Sequence, residues 1–239
     1  MSSQVANSES LAKTQSRKEH RNIKLENAAA RLPHSWVMTT IQEIGTIFSG
    51  GTPKTSNPDN FDGDISWITP ADLTGYEDVF IARGRRNLSE AGLKSCSAKI
   101  MPQSSVLFSS RAPIGYVAIA SNPLCTNQGF KSVSPAKHID SKYVYYYLNS
   151  AKELAESKAS GTTFKELSGS RFAQLPIPIA PENEQHRIVE KIETLFAHID
   201  KGEEALREVQ KLLKAAVTGE LTRDWREANQ HKLEPASDL

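Results

Sequence analysis

Side chains able to carry chemistry are present in this sequence, but not at the spacings catalysis requires. Six histidines, His20, His34, His138, His186, His198 and His231, include no HExxH pair and no short spacing to either cysteine, so no zinc set can be drawn. Cys96 and Cys125 are far apart and form no CxxC, which removes zinc ribbons and disulfide scaffolds and makes a reducing cytoplasm the simplest compartment. Ser109 and Ser110 beside Arg111 lack the GxSxG context of a nucleophile elbow. The Gly50 to Lys54 run, GGTPK, lacks the Walker or dinucleotide spacing and reads as a turn. Asp62 and Asp64 fit no calcium loop. An NPPY-like or DPPY-like sequence with a glycine-rich cofactor loop is also missing, so the chain carries no amino-methyltransferase site of its own. The residue types point to a binding or adaptor protein rather than an enzyme, with no metal site.

The elements that would position such a surface fall into four segments. Residues 1–31 are polar and basic without sustained periodicity, a mobile arm by composition. Residues 32–180 carry short runs of period-2 alternation, with strands expected at Ile65–Ile68, Val79–Ala82, Ser105–Ser109 and Tyr116–Ala120. One helix is expected from about Ser141 to Ser157, where Val144, Tyr147, Leu148, Ala151, Leu154 and Ala155 form one face. Of its four clustered tyrosines only Tyr147 falls on that stripe. Leu175, Ile177 and Ile179 alternate with Pro176 and Pro178, which suits an edge strand because proline cannot donate to a ladder.

From 181 to 218 the period changes. Pro181, Glu182 and Glu184 suit a helix start. Ile188, Ile192, Leu195, Ile199, Gly202, Leu206, Val209, Leu213 and Ala216 then recur at alternating steps of four and three, an a/d seam held over four heptads. A helix of that length needs a partner along its stripe, so pairing with another such helix is expected, against packing within the chain. Gly202 on the seam would allow close approach or mark a bend. Residues 219–239 form a C-terminal tail. The expected fold class is α+β, a mixed β-containing domain followed by a long helix that pairs as a coiled coil.

The 239 residues are 38% hydrophobic and 24% charged, and no stretch approaches a membrane span. No apolar h-region opens the sequence, so export is not expected. A net charge of +1 speaks against holding nucleic acid by bulk charge, but the sum conceals a gradient. Residues 1–35 have 6 basic against 3 acidic side chains, residues 36–180 have 14 against 12, and residues 181–239 have 9 against 13. A basic body with an acidic C-terminal helix is the better description.

Several segments in order carry a family resemblance: LPHSW (Leu32 to Trp36), TTIQEIGTIFSGGTPKT (Thr39 to Thr55), DISWITPADL (Asp64 to Leu73), PQSSVLFSSRAPIGYVAI (Pro102 to Ile119), NQGF (Asn127 to Phe130), and ASGTTFKELSGSRFAQLPIPIAPENEQHRIVEKIETLF (Ala159 to Phe196). KLLKAAVTGELTRDW (Lys211 to Trp225) closes the series. Together they resemble one repeat of the specificity (S) subunit of type I restriction-modification systems, over more than four fifths of the chain. The resemblance implies a DNA target recognition domain at 32–180 and a spacer helix at 181–218. It also implies a non-catalytic role in a complex with double-stranded DNA, methyltransferase (M) subunits and a restriction or motor (R) subunit. S-adenosylmethionine, ATP and Mg would belong to those partners, with no cofactor in this chain. Family members carry two recognition domains and two helices, and this chain has one of each. The resemblance therefore implies a second copy of itself or another half-subunit, or a truncated product; the basic arm resembles a linker ahead of a second repeat.

Within that frame, arginine or lysine would meet guanine edges and phosphates. The expected DNA-binding residues are the cluster Arg83, Arg85 and Arg86 around Gly84, with Lys54, Arg111, Lys131 and Lys165, and the hydroxyls of Thr162 and Thr163 beside Gly161. Arg171 is a further candidate, and a solvated turn is the alternative for each. Gly50, Gly51, Pro53, Trp67, Gly115 and Gly129 are expected to keep the fold. Helix pairing falls to Ile188, Ile192, Leu195, Ile199, Leu206, Val209 and Leu213. The competing reading is a coiled-coil interaction adaptor that binds no DNA.

Overall fold

The computed structural model describes residues 32–161 and 165–232, which divide into two compact units with the boundary between Val189 and Glu190. The first unit is built on a five-stranded sheet ordered β2–β9–β6–β7–β4, with β2 at Gly45–Ser49, β4 at Phe80–Ile81, β6 at Val106–Ser110, β7 at Ile114–Ala120 and β9 at Phe130–Pro135. All its pairings are antiparallel except β4 with β7. A three-stranded sheet is ordered β5–β3–β8, with β3 at Phe61–Ile68, β5 at Arg86–Leu88 and β8 at Cys125–Thr126. The four strands expected from alternation are present as β3, β4, β6 and β7.

Strand β6 is buried along its whole length because both faces of the sheet are covered. Val106 and Phe108 join Ile119, Val133, Val144, Leu148 and Phe172 in one core, where Phe108 and Phe172 stack with centroids 5.5 Å apart. Leu107 points the other way, into a second core with Ile68, Leu73, Ile81, Met101 and Phe130. This is the period-2 geometry of a strand applied to two apolar layers.

The expected single helix is two, α2 at Ser141–Ser150 and α3 at Lys152–Lys158, divided at Ala151; a five-residue helix α1 at Glu90–Lys94 precedes them. Asp140 caps α2 by accepting from the amides of Lys142 at 2.7 Å and Tyr143 at 2.9 Å. No proline or glycine marks the break. It coincides with the approach of Lys152 to Gly115, whose φ is +100° and where a Cβ would lie 2.6 Å from the Lys152 Cγ. The apolar stripe continues through it, since Val144, Leu148, Ala151 and Ala155 are all buried.

The proline-rich segment forms β10, Pro176–Ile179, paired antiparallel with β1, Val37–Thr40. Ile177 lies opposite Thr39 and Ile179 opposite Val37, so the residues that retain an amide face β1 and the prolines present carbonyls outward. Tyr143 and Tyr147, one turn apart on α2, donate their hydroxyls to the carbonyls of Pro178 and Pro176. Tyr143 is buried against strand β10, while Tyr147 is half-buried. A short helix α4, Gly169–Ala173, is capped by Ser168.

Helix α5 runs unbroken for 36 residues, Glu182–Val217. That is about 54 Å at 1.5 Å per residue. Its first turns bury Gln185 and Val189 while Ile188 and Ile192 are half-buried, so the covered stripe is wider than the expected seam. In the second unit the seam residues Leu195, Ile199, Leu206, Val209 and Leu213 are exposed, as are Phe196, Leu212 and Val217. A Cβ on Gly202 would meet nothing within 4 Å, and the helix passes through it without a break. Gly219, with φ +73°, ends the helix by donating to the Ala216 carbonyl. A further helix, α6 at Arg223–Ala228, lies within the expected tail. Among the described residues no helix is long and apolar enough to cross a membrane.

Candidate nucleic-acid interface

Arg83 and Arg85 stand on the turn between β4 and β5 and Arg86 opens β5, and Asp72 holds that turn in place. The Asp72 carboxylate accepts from the Thr69 amide at 2.8 Å, the Thr69 hydroxyl at 2.7 Å and the Arg85 amide at 2.9 Å. Its side chain is only 7% exposed, while that of Arg85 is 76% exposed, with its Nε 3.9 Å from Asp72. The carboxylate thus fixes the Arg85 backbone and leaves the guanidinium in solvent. Gly84 makes the approach possible, because a Cβ there would lie 2.5 Å from the Trp67 carbonyl oxygen and 2.9 Å from Asp72. Arg86 lies over the Phe61 ring, its guanidinium carbon 3.7 Å from the centroid, so part of its charge is spent on a cation–π contact. Arg83 is exposed.

The Pro70–Leu73 turn that carries Asp72 also walls a cleft of about 890 Å³. Arg111 and Lys165 line it, together with Glu156, Glu166, Thr69 and Asn127. Arg111 pairs with Glu166 at 3.6 Å. The lining is therefore of mixed charge, not a uniform cationic trough.

Other expected contacts are dispersed. Lys54 is exposed on the loop after the GGTP turn, where its carbonyl accepts from Asn60 at 2.9 Å. Lys131 is 9% exposed on β9, and its ammonium reaches the Gln128 carbonyl at 3.5 Å. Burial holds its pKa below the ordinary lysine value, and Arg111 lowers it further against the opposing pull of Glu166. Lys131 is thus nearly buried, with its ammonium turned to the Gln128 carbonyl. Arg171 donates to the Lys158 carbonyl at 2.8 Å and closes the end of α3, a structural use of its guanidinium. Thr162 and Thr163 lie outside the described residues.

The glycines expected to keep the fold do so at Gly50 and Gly51. A Cβ on Gly50 would fall 1.8 Å from the Asn127 carbonyl oxygen. Gly51 donates to the Thr126 carbonyl at 2.9 Å and its own carbonyl accepts from Trp67 Nε1 at 3.1 Å. The GGTP turn is a joint between the two sheets. Among the described residues no group of three or more histidine, cysteine or acidic side chains could hold a metal ion.

Asp72 and Gln185 were missed by reasoning from sequence. Asp72 had a signal, the Thr69-x-x-Asp72 capping-box spacing. Gln185 falls one heptad before Ile192, but its polar side chain leaves it outside any apolar periodicity.

A family profile described as the type I restriction modification DNA specificity domain matches residues 33–211. The chain belongs to this family. It is 39% identical over 202 residues to the type I restriction enzyme MjaIX specificity subunit of Methanocaldococcus jannaschii, covering 84% of this chain and 46% of that protein. With the EcoR124I/EcoR124II specificity subunit of Escherichia coli it shares 29% identity over 173 residues, 68% of this chain and 42% of that one. The chain thus spans about half the length of the curated relatives it matches. Its fold resembles that of the HsdS subunit from Thermoanaerobacter tengcongensis, with TM-score 0.56 and 21% identity, covering 89% of this chain and 55% of that one. A chain from a structure of a type I R-M system, described for its complex assembly and conformational transition, gives TM-score 0.62 at 21% identity over 88% of this chain and 52% of that one. The family match encompasses both the arginine turn and the first 30 residues of α5.

Proposed function

We propose that the chain reads DNA sequence for a type I restriction-modification complex and performs no chemistry itself. The observation that carries this reading is the match of 33–211 to the DNA specificity domain family, within which Asp72 presents the Arg83–Arg86 turn to solvent. Arg83 and Arg85 would contact phosphates or guanine edges, with Lys54 and Lys165 adding phosphate contacts. Adenine methylation with S-adenosylmethionine and ATP-dependent cleavage with Mg would be supplied by M and R subunits in the cytoplasm. The nearly balanced charge of the body fits a subunit that shares its DNA affinity with such partners.

Helix α5 would act as the spacer. Its exposed seam, Leu195, Ile199, Leu206, Val209 and Leu213, suits an equivalent helix from a second copy or another half-subunit. Paired antiparallel, two such helices would hold two recognition domains about one to two duplex turns apart. If the partner is identical, the interface is isologous and the target is a palindromic bipartite site.

Gel shift of the purified chain, with and without M subunits and over a salt series, tests the reading. Sequence-selective binding that weakens with salt supports it. Absence of selective binding in the presence of M subunits would favour the adaptor reading, in which the exposed seam is the functional surface.

A further inference from the structure

We propose that Gln185 is a positioning residue, a clasp that fixes the first two turns of α5 to the recognition body and so sets the gap of the bipartite site. The inference rests on the DNA-reading role proposed above. Gln185 is 1% exposed and lies on the helix seam, where the other positions carry Ile, Leu, Val, Ala or Gly. Its Oε1 accepts from the Asp140 amide at 2.9 Å. Its Nε2 donates to the Ala180 carbonyl at 2.8 Å and to the His138 carbonyl at 3.3 Å. All three partners are backbone groups.

The geometry distinguishes a clasp from ordinary packing. An apolar side chain on a seam tolerates small shifts of the helix, because dispersion and burial are nearly direction-free. A buried amide is costly unless its partners are met, and hydrogen bonds weaken steeply with misalignment. Two of the three groups, the Asp140 amide and the His138 carbonyl, lie on the segment between β9 and α2, and the third, the Ala180 carbonyl, on the chain entering α5, so a shift of the helix against that segment misaligns bonds at both ends of the amide. A single polar residue on an apolar seam is known to set register at some cost in stability. The segment it grips is tied at both ends: Ala136 leaves β9 with its amide on the Ile44 carbonyl at 2.8 Å, and Asp140 caps α2. On the outer side, Glu182 meets His138 Nδ1 at 2.9 Å and His186 Nε2 meets Asp140 at 3.3 Å, so two histidine–carboxylate contacts flank the amide.

Because α5 continues unbroken to Val217, an error in its first turns would be carried along its axis to any partner helix. Loss of the clasp should therefore blur the gap between half-sites and leave the half-sites themselves unchanged.

The test uses the full chain coexpressed with its M subunits and a library of sites differing only in gap length, read by N6-methyladenine mapping. Wild type is expected to methylate at one gap length. Gln185→Met keeps most of the volume without the hydrogen bonds, and Gln185→Ala removes both. For whichever variant folds, the preference for the wild-type gap over its neighbours is expected to fall about tenfold, with half-sites unchanged. An unchanged gap profile, a uniform loss at all gaps or an altered half-site would overturn the proposal. A second measurement does not depend on DNA reading. Spin labels at Lys99→Cys and Lys201→Cys, in a Cys96→Ser background, should give a broader distance distribution in Gln185→Met than in the parent chain. Equal widths would overturn the clasp, whereas absence of methylation by wild type would count against the DNA-reading role alone.

Discussion

Tyr143 on α2 donates its hydroxyl to the carbonyl of Pro178 on β10 across 2.7 Å. The contact closes the outer edge of a strand whose alternate residues have no amide to give. Tyr147 makes the corresponding contact to Pro176, so the two tyrosines and two prolines act as one joint between helix and strand.

Removing that joint has an expected cost in stability. Tyr143→Phe leaves a carbonyl without its donor and should lower unfolding free energy by about 1 kcal/mol in urea titrations. Burial, chiefly, pushes both Tyr143 and Tyr147 up to about 12, so the folded state retains the neutral phenol. Their stabilising contribution is complete below pH ~10, where unfolded tyrosine is still protonated, and is lost as pH rises through the folded value. Tyr143→Phe should flatten the fall in stability between about pH 10 and 12. An equally steep fall would contradict this.

That joint also shows what alternation and spacing reveal. Pro176, Ile177, Pro178 and Ile179 announce an edge strand by themselves, and the step from period 2 to a heptad at Pro181 announces α5. The partners of β10 are separate matters. Tyr143 stands one turn before Tyr147 at the edge of the apolar stripe, and the carbonyl that makes its burial possible belongs to a strand residue 35 positions away. The basic turn was visible as Arg83, Arg85 and Arg86, but its support, Asp72, is a tertiary fact. Lys131 went the other way: a cation in a sequence is assumed to be outside, and this one lies in a strand whose neighbours cover it.

Gly50→Ala should be among the most damaging single-methyl changes in the chain. The added Cβ would press on the Asn127 backbone, which cannot swing aside like a side chain. A loss of about 3 kcal/mol, or failure to accumulate as soluble protein, is expected. Gly202→Ala, in open space inside a helix, should instead be neutral or slightly stabilising, with thermal melts of both variants checking the contrast.

The arginines of the turn should separate by assay. Arg83→Ala should weaken binding to specific and nonspecific duplexes alike, with the salt slope reduced by about 1 if it meets one phosphate. Asp72→Asn keeps one acceptor oxygen and cannot serve both Thr69 and Arg85, so it should weaken binding by loosening the turn, while the negative charge it removes from beneath the turn would on its own strengthen binding. Stronger binding by Asp72→Asn would show that the anchor is unimportant.

The two cysteines should react differently. Cys125 is fully buried, its thiol donates to the Ser66 carbonyl at 3.5 Å, and burial foremost, with Cys96 nearby, pushes it up to about 12. At pH 8 its thiolate fraction would be roughly one in ten thousand. Iodoacetamide should add one group to the native chain, at the half-buried Cys96, and two in denaturant, as read by intact mass. Two rapid additions to the native chain would contradict the burial of Cys125.

The most direct test is to map N6-methyladenine across the genome of cells that express this chain with its M subunits, and of cells that lack only this chain. The account expects bipartite sites with a fixed gap to be methylated in the first and unmethylated in the second. The same methylation pattern in both would contradict it.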